Sequence, residues 1–429
     1  MDNIVDLVFN ASGIFAAISG GGTSTILEII KWILKYVLIV YNNMKFLEKF
    51  LEANRGRCNE LTKQEYQAFL SIEQKFASLK TELAVYFAPD SSDLQSLLST
   101  VGNVANNKVY NVIAQLNAQE RGLPYLFIVA YYDNYGVVPG LTTGSDSNGS
   151  GVAILLELLA IFHQLYSLPS HAARYNLVFV LSAEENLVFK EVEILLMILM
   201  KNILVSLAIC LDGLGRKLTT TTSKENTQQP LFIHLSKTPS TTSITSKFIS
   251  TLQNFGINKK KINLVTKKIN LGADKLVWEH EIYNIRRIHS LTLSNFEKFD
   301  DAERNSMLDT PKQLDYSILE SNARLISSSL ISFVFNLDSN LCTNLKETKE
   351  ECSLLLNESI NVDRKRLAVW IKLFGSKPRP TNTLQLQLIA NLQQVVKKFS
   401  HNSVVSEVVI NDFVLYEIVS STNKFILEL

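Results

Sequence analysis

The sequence predicts an α/β fold, a three-layer sandwich in which a mostly parallel sheet lies between helices, with a helical C-terminal appendage. Apolar strand-like runs alternate with helical segments from residue 125 to residue 335. These runs are almost continuously apolar, which is typical of strands that are buried on both faces. After residue 336 such runs stop, so we predict no further strands there.

The predicted elements of the α/β part follow one another along the chain. Strands are predicted at residues 125–132, 175–181, 204–211, 231–235 and 291–293, with a weaker one at 109–116. Helices are predicted at residues 152–166, 187–199, 241–255 and 311–335. Strands that alternate with helices in this way indicate a parallel sheet with both faces covered. The run at 219–229 is rich in Thr, Ser and Gln and is predicted to be an exposed loop.

Four segments are predicted, because the pattern of apolar and polar residues changes three times along the chain. They are an N-terminal helical region at 1–60, a partial N-terminal subdomain at 61–122, the α/β domain at 123–336 and a C-terminal helical region at 337–429. In the N-terminal subdomain we predict a helix over 60–79 and a short strand at 83–87. In the C-terminal region we predict helices at 384–398 and 414–426, after a stiff break at the proline-containing run 376–380.

Composition excludes several classes of protein. The 429 residues carry 42 basic and 41 acidic side chains, so nothing favours nucleic acid as a direct partner. The four cysteines form no CxxC pair, which argues against a cysteine zinc site. Cys210 is predicted to be a buried apolar residue, whereas pairing of Cys342 with Cys352 in an oxidising compartment stays open.

No clear membrane span is predicted. The apolar segment 26–41 carries Glu28, Lys31 and Lys35 at about helical spacing, so one of its faces is polar. An amphipathic helix, packed on the protein or lying at an interface, is therefore favoured over a membrane span. No secretory signal is predicted either, because no basic residue precedes the first apolar run.

Polar side chains of the kind that bind metal ions lie near the predicted strands. Asp146 lies in the turn GSDSNGSG at 144–151, Glu184 and Glu185 follow the second strand, Asp212 follows the third, and His280 precedes the strand near 291. Open α/β sheets place their sites at the carboxyl ends of the strands. Two divalent ions need carboxylates and imidazoles from several strands, and an adjacent Glu-Glu pair could supply one ligand and one base.

Ordinary structural explanations exist for each of these residues. An aspartate in a strand-to-helix turn is more often a helix N-cap than a metal ligand. A Glu-Glu pair at a strand end is usually the solvated start of a helix, and a single histidine is usually a surface or packed residue. From the residues alone, a metal-hydrolase ancestry and a set of unrelated caps both stay open.

At these residues the chain resembles the zinc aminopeptidase superfamily, which includes nicastrin and the transferrin receptor, and within it the nicalin family. The resemblance covers residues 61–335 well. The motifs that carry it are VYFA at 85–88, IVAYYD at 128–133, GSDSNGSG at 144–151, WEHE at 278–281 and IRR at 285–287. The WEHE and IRR pieces resemble the nicalin family more than the aminopeptidases.

The resemblance implies a role for each predicted site residue. Asp146 matches the metal-bridging aspartate, Glu184 the catalytic base, and Glu185, Asp212 and His280 the further metal ligands. This set is the basis for a predicted residual zinc site.

One expected metal ligand is missing. Tyr131 stands where the superfamily has its first histidine, and Asp133 matches the aspartate that would orient that histidine. A phenol, with a reference pKa of about 10 against about 6.5 for imidazole, is a poor replacement. A pseudoenzyme without cofactor is therefore favoured over an active zinc enzyme.

The resemblance also implies a function. It implies a non-catalytic subunit of an endoplasmic-reticulum membrane complex, with a luminal peptidase-like domain that partners NOMO and a small multispanning membrane protein. Such a complex supports the insertion of multi-pass membrane proteins and modulates signalling such as Nodal. Membrane association is expected from the family although no clear span is predicted. The alternative is a metal-dependent aminopeptidase with a residual zinc site.

Overall fold

The computed structural model describes most of the chain from residue 101 onwards. The described residues are 66–67, 70–71, 74, 101–104, 107–134, 142–168, 172–183, 204–216, 229–256, 261–271, 276–337, 361–379, 385–410, 415–419 and 424–428. The chain forms two compact units, Met1–Ile72 and Glu73–Leu429. In the first unit the described residues are helical.

The second unit contains eleven strands among its described residues. They are β1 Val101–Val104, β2 Asn107–Leu116, β3 Tyr125–Tyr131, β4 Asn176–Ser182, β5 Val205–Leu211, β6 Leu231–Leu235, β7 Ile262–Thr266, β8 Ser290–Ser294, β9 Asn402–Ile410, β10 Leu415–Val419 and β11 Lys424–Glu428. Six α-helices of the same residues are α1 Gly149–Tyr166, α2 Ile244–Gly256, α3 His280–Ile285, α4 Tyr316–Phe335, α5 Arg364–Phe374 and α6 Gln385–Phe399. A short 3-10 helix, Pro311–Gln313, precedes α4.

The main sheet has eight strands in the order β7-β6-β8-β5-β3-β4-β2-β9. Its four central strands, β8, β5, β3 and β4, are parallel. The outer strands β6 and β2 run antiparallel to their inner neighbours, and β9 runs antiparallel to β2. A smaller sheet has the order β1-β10-β11. The parallel centre was predicted correctly, because its strands are buried on both faces and therefore read as continuous apolar runs.

Helices cover both faces of the main sheet. Helix α1 has 16 of its 18 residues buried and packs in one apolar cluster with residues of α2, α4, α5 and α6. On the opposite face, Tyr283 of α3 packs edge-on against Phe127 of β3, with ring centroids 6.5 Å apart. Among the described residues, α1 is the one helix long and apolar enough to cross a membrane, but 89% of its apolar window is buried inside the protein. Such burial is what a core helix requires.

One glycine lets α1 begin close to the end of β5. A Cβ atom on Gly151 would lie 2.3 Å from the carbonyl oxygen of Leu211. That oxygen is backbone and cannot move aside, so the first turn of α1 reaches the strand end only because residue 151 has no side chain. The predicted turn 144–151 is therefore held directly beside β5.

The predicted helix at 414–426 is wrong. Residues 415–419 and 424–428 form β10 and β11, which pair antiparallel with each other. β-branched and aromatic residues favour a strand once a partner strand is available, and β1 provides that partner for β10. Strands β7 and β9 were not predicted. The C-terminal helices at 364–374 and 385–399 are present, but β9 between them and β10 belongs to the main sheet.

Several predicted features lie outside the described residues. They are the helix at 26–41, the strand at 83–87, Glu184, Glu185, the helix at 187–199, residues 219–228 of the predicted loop, Cys342 and Cys352. The predicted helix at 60–79 is described at five residues, all of them helical.

Candidate functional site

Three of the predicted metal ligands, Asp146, Asp212 and His280, lie in the described part of the chain. Asp146 lies in the turn before α1, Asp212 directly follows β5, and His280 is the first residue of α3. Glu184 and Glu185 follow Ala183, the last residue described after β4. The assignments of Glu184 as catalytic base and of Glu185 as metal ligand stay predictions.

Asp146 is fully buried. Its Oδ1 atom accepts a hydrogen bond of 2.6 Å from the amide of Gly215, whereas Oδ2 has no hydrogen-bond partner among the described residues. Burial raises the pKa of this carboxyl well above its ordinary value, and the negative charges of Asp309 and Asp212 raise it further. The raised pKa favours the protonated form of this carboxyl when no cation is bound.

Asp309 holds the turn that carries Asp146. Its Oδ1 accepts from the amide of Asp146 at 2.8 Å. Its Oδ2 accepts from the amide and the hydroxyl of Ser147, at 2.8 and 2.9 Å. Both oxygens of this fully buried carboxylate are therefore used by the turn. The sequence analysis did not single out Asp309. The only local signal is an aspartate shortly before the 3-10 helix at Pro311, which is an ordinary helix-start pattern.

Asp212 forms a nearly buried ion pair with Arg304. The Nη2 and Nε atoms of Arg304 donate to Oδ2 of Asp212 at 2.7 and 3.1 Å. Their side chains are only 6% and 10% exposed. The guanidinium also lies 4.6 Å above the ring of Trp278, which stacks on His234 with ring centroids 4.1 Å apart. The stacked rings of Trp278 and His234 hold the guanidinium of Arg304 in position. A positively charged group of the protein therefore already lies at the carboxylate of Asp212.

His280 lies against a face of the sheet rather than beyond a strand end. Its Nδ1 atom is 2.9 Å from the hydroxyl of Thr292, in the middle of β8. Its Nε2 atom is buried and has no hydrogen-bond partner within the described part of the chain. Burial lowers the pKa of His280 to about 3, and the charges of His234 and Lys267 lower it further. The imidazole is therefore neutral at physiological pH.

A second buried arginine comes from the C-terminal region. Arg379 donates from Nε to the carbonyl oxygen of Tyr132 at 2.6 Å and from Nη2 to that of Gly144 at 3.0 Å. The amide of Asn134 donates to the carbonyl oxygen of Arg379 at 3.0 Å. Burial lowers the pKa of Arg379 to about 10, and the negative charges of Asp133 and Asp309 oppose that shift. The guanidinium thus lies between the end of β3 and the turn before α1.

Tyr131 and Asp133 lie at the carboxyl end of β3. Tyr131 is the last residue of β3, pairs in register with Ser182 of β4 and is 5% exposed. Asp133 is buried two residues later, in the electrostatic range of Arg379. The aspartate that the superfamily uses to orient a histidine has an arginine nearby in this chain.

The described residues do not fit a pair of zinc ions. Among them, no three His, Cys, Asp or Glu side chains come together in a group that could hold a metal ion. The carboxylate of Asp212 binds Arg304, and that of Asp309 binds the turn before α1. In this part of the chain, buried guanidinium groups supply the positive charge beside the carboxylates.

The buried His234 makes stability depend on pH. Burial, with a smaller effect of the Arg304 charge, lowers its pKa from 6.5 to about 4, although a hydrogen bond to the Phe296 carbonyl opposes this shift. The unfolded chain therefore binds a proton at a higher pH than the folded chain. We expect the unfolding free energy to fall, by up to about 3 kcal/mol, as pH decreases from about 6.5 through about 4.

Urea unfolding at a series of pH values measures this effect. The His234→Gln variant should lose less stability across that range, and the exposed His289 provides a matched control as His289→Gln. Equal pH dependence in His234→Gln and the unmodified protein would contradict the expectation.

Comparison with known proteins gives consistent results. A family model described as "Peptidase family M28" matches residues 111–329. The chain is 31% identical over 383 residues to nicalin from Caenorhabditis elegans, a match that covers 77% of this chain and 65% of that protein. It is 31% identical over 320 residues to the BOS complex subunit NCLN from Homo sapiens, covering 63% of this chain and 54% of that protein. The chain thus spans less than two thirds of the length of either relative.

A solved structure supports the fold. The crystal structure of the γ-secretase component nicastrin matches with a TM-score of 0.51 at 11% identity, and the match covers 75% of this chain and 65% of nicastrin. At that identity the likeness concerns the fold alone. Together with the family match it confirms the predicted α/β fold of the zinc aminopeptidase type.

Proposed function

This chain belongs to peptidase family M28, and from that premise we propose that it is a non-catalytic, nicalin-like subunit of a membrane protein complex. The observation that carries this proposal is the ion pair of Asp212 with Arg304. The guanidinium, fixed 2.7 Å from a predicted ligand carboxylate, already supplies positive charge where a divalent cation would bind. Tyr131, in place of the first histidine, supports the same conclusion.

The names of its relatives support membership in a complex. Relatives from several vertebrates are named as subunits of the BOS complex. We propose that this chain acts in the endoplasmic-reticulum membrane with a luminal peptidase-like domain. Its partners would be NOMO and a small multispanning membrane protein. Support for insertion of multi-pass membrane proteins, and modulation of Nodal-type signalling, are part of the same proposal.

A second candidate function is a metal-dependent aminopeptidase with a residual zinc site. Two observations favour it: the Oδ2 atom of Asp146 and the Nε2 atom of His280 are buried and without hydrogen-bond partners among the described residues. Glu184 would then act as base and Glu185 as a further zinc ligand. Zinc, when bound, would polarise a peptide carbonyl and activate water.

The zinc content and peptidase activity of the purified full chain distinguish the two functions. We expect less than one equivalent of zinc by mass spectrometry and no release of N-terminal residues from peptide substrates. Two equivalents of zinc together with turnover that Glu184→Gln abolishes would establish the peptidase instead.

Complex membership needs its own experiment. A tagged full chain, purified from detergent-solubilised membranes, should carry NOMO and a small multispanning protein in constant ratio. An unrelated luminal protein with the same tag controls for non-specific capture. If neither partner is recovered even after cross-linking, the proposed complex is wrong, whatever the zinc measurement gives.

A further inference from the structure

A second site lies at the opposite edge of the sheet from the carboxylates. A cavity of about 550 Å³ is lined by Ser236, Lys237, Lys268, Asn284, Arg287 and His289, together with two isoleucines. Ser236 and Lys237 follow β6, which runs antiparallel to β8, and His289 directly precedes β8. Because β8 is parallel to β5, these residues lie at the amino-terminal edge of the central strands. We call this the basic cavity.

Positive charge dominates the basic cavity. Lys237, Lys268 and Arg287 are exposed, and among the described residues no acidic side chain lines the cavity with them. Within the described part of the chain these three cations have no ion-pair partner. The neighbouring Lys267 differs, because its Nζ lies 4.0 Å from Glu281 and 4.5 Å from the ring of Phe299. Three unpaired cations around one cavity repel each other and attract an anion.

The backbone conformation at Arg287 is strained, and the capping of helix α3 does not explain why an arginine occupies this position. Arg287 has a φ of 63°, a left-handed conformation just after α3 that glycine or asparagine adopts at lower cost. The carbonyl groups of residues 282–284 already accept from the amides of residues 286–288, so the helix end needs no cap from a side chain. Arginine at this position therefore carries an energetic cost and brings a guanidinium to the cavity.

The hydroxyl of Ser236, which lines the basic cavity, can donate a hydrogen bond to a ligand. Asn284 donates from Nδ2 to the hydroxyl oxygen of Ser236 at 3.1 Å and to the carbonyl oxygen of His280 at 3.3 Å. In the first of these bonds the hydroxyl oxygen of Ser236 is the acceptor. The hydroxyl proton of Ser236 is therefore available for a hydrogen bond to a ligand. Arginine, lysine and a hydroxyl together match the several oxygens of a phosphate group.

We propose that the basic cavity binds a phosphate-bearing ligand with several negative charges. Its volume fits a ring-sized molecule better than a single inorganic phosphate, because small-molecule sites commonly enclose about 300–1,000 Å³. A polyphosphorylated inositol has this chemistry. As a probe of multiply phosphorylated ligands, it can be offered as a soluble molecule or as the headgroup of a membrane lipid.

Two probes test the site and distinguish its sources. Soluble inositol trisphosphate is titrated into the full chain by calorimetry, and the same protein is sedimented with phosphatidylcholine vesicles with and without phosphatidylinositol bisphosphate. Binding of the soluble probe identifies a free ligand, whereas binding to the charged vesicles alone identifies a lipid headgroup. In either case added salt should weaken binding. No binding of either probe would overturn the assignment.

The Arg287→Gly variant separates binding from folding. It removes the guanidinium and relieves the left-handed strain, so its unfolding midpoint should stay the same or rise while affinity falls about tenfold. Lys268→Gln should also weaken binding. Lys247→Gln, an exposed lysine on α2 that does not line the cavity, makes the same change in net charge and should bind like the unmodified protein. Undiminished binding by Arg287→Gly would equally overturn the assignment.

Discussion

Replacing Arg379 by methionine should lower the unfolding free energy by about 3–5 kcal/mol, as expected when one partner of a buried charge network is removed. The carbonyl oxygens of Tyr132 and Gly144 would lose their donors, and the buried Asp133 and Asp309 would lose a nearby positive charge. Methionine keeps much of the volume, so the effect would come from charge and hydrogen bonding. Chemical denaturation followed by circular dichroism measures the change.

Two further variants, Lys377→Met and Arg379→Lys, serve as comparisons for Arg379→Met. The side chain of Lys377 is exposed two residues earlier in the same segment, and Lys377→Met should change stability by less than about 0.5 kcal/mol. Arg379→Lys keeps the charge but not the forked donors, so an intermediate loss is expected. Similar stability of Arg379→Met and Lys377→Met would show that the C-terminal segment does not anchor the turn before α1.

The pair of Arg304 with Asp212 should give the second large effect. Arg304→Met leaves the carboxylate of Asp212 buried without its cation, at a cost of about 3 kcal/mol. Asp212→Asn alone should also destabilise, because it leaves the guanidinium without its anion. The double variant should recover part of the loss, with a coupling energy of about 0.5–3 kcal/mol.

An exposed pair in the same chain provides the control for this cycle. Arg364 lies 3.9 Å from Glu320, and its side chain is 58% exposed. Solvent screens such a pair, so Arg364→Met should cost less than about 1 kcal/mol. Strict additivity of the Arg304 and Asp212 substitutions would show that the two side chains do not stabilise each other.

The central strands could be predicted because their signal is local. Strand β6 was predicted to the residue, and β3, β4, β5 and β8 to within one or two residues, since each is a short apolar run between turn residues. Strands β9 and β10 could not be predicted in the same way. Their apolar and polar residues are mixed, and only pairing with β2 and β1 decides that they are strands.

The residues of the candidate site also differ in whether they could be predicted from the sequence. Asp146 and Asp212 were found because strand ends and strand-to-helix turns can be recognised locally. The residues that contact these two aspartates could not be predicted, because they are distant in sequence. Arg304 is 92 residues from Asp212, and Asp309 is 163 residues from Asp146. Only the folded chain brings such pairs together.

The position of β9 has a consequence for how the protein is made. Strand β9 is the outer neighbour of β2, from Asn107 opposite Ile410 to Gln115 opposite Asn402. A ribosome synthesises the chain from its amino terminus, so the hydrogen-bonding edge of β2 stays unpaired until residues 402–410 emerge. Unpaired edges of this kind readily join other chains. Nascent chains that stall before residue 402 should therefore depend on chaperones far more than chains that extend past residue 410.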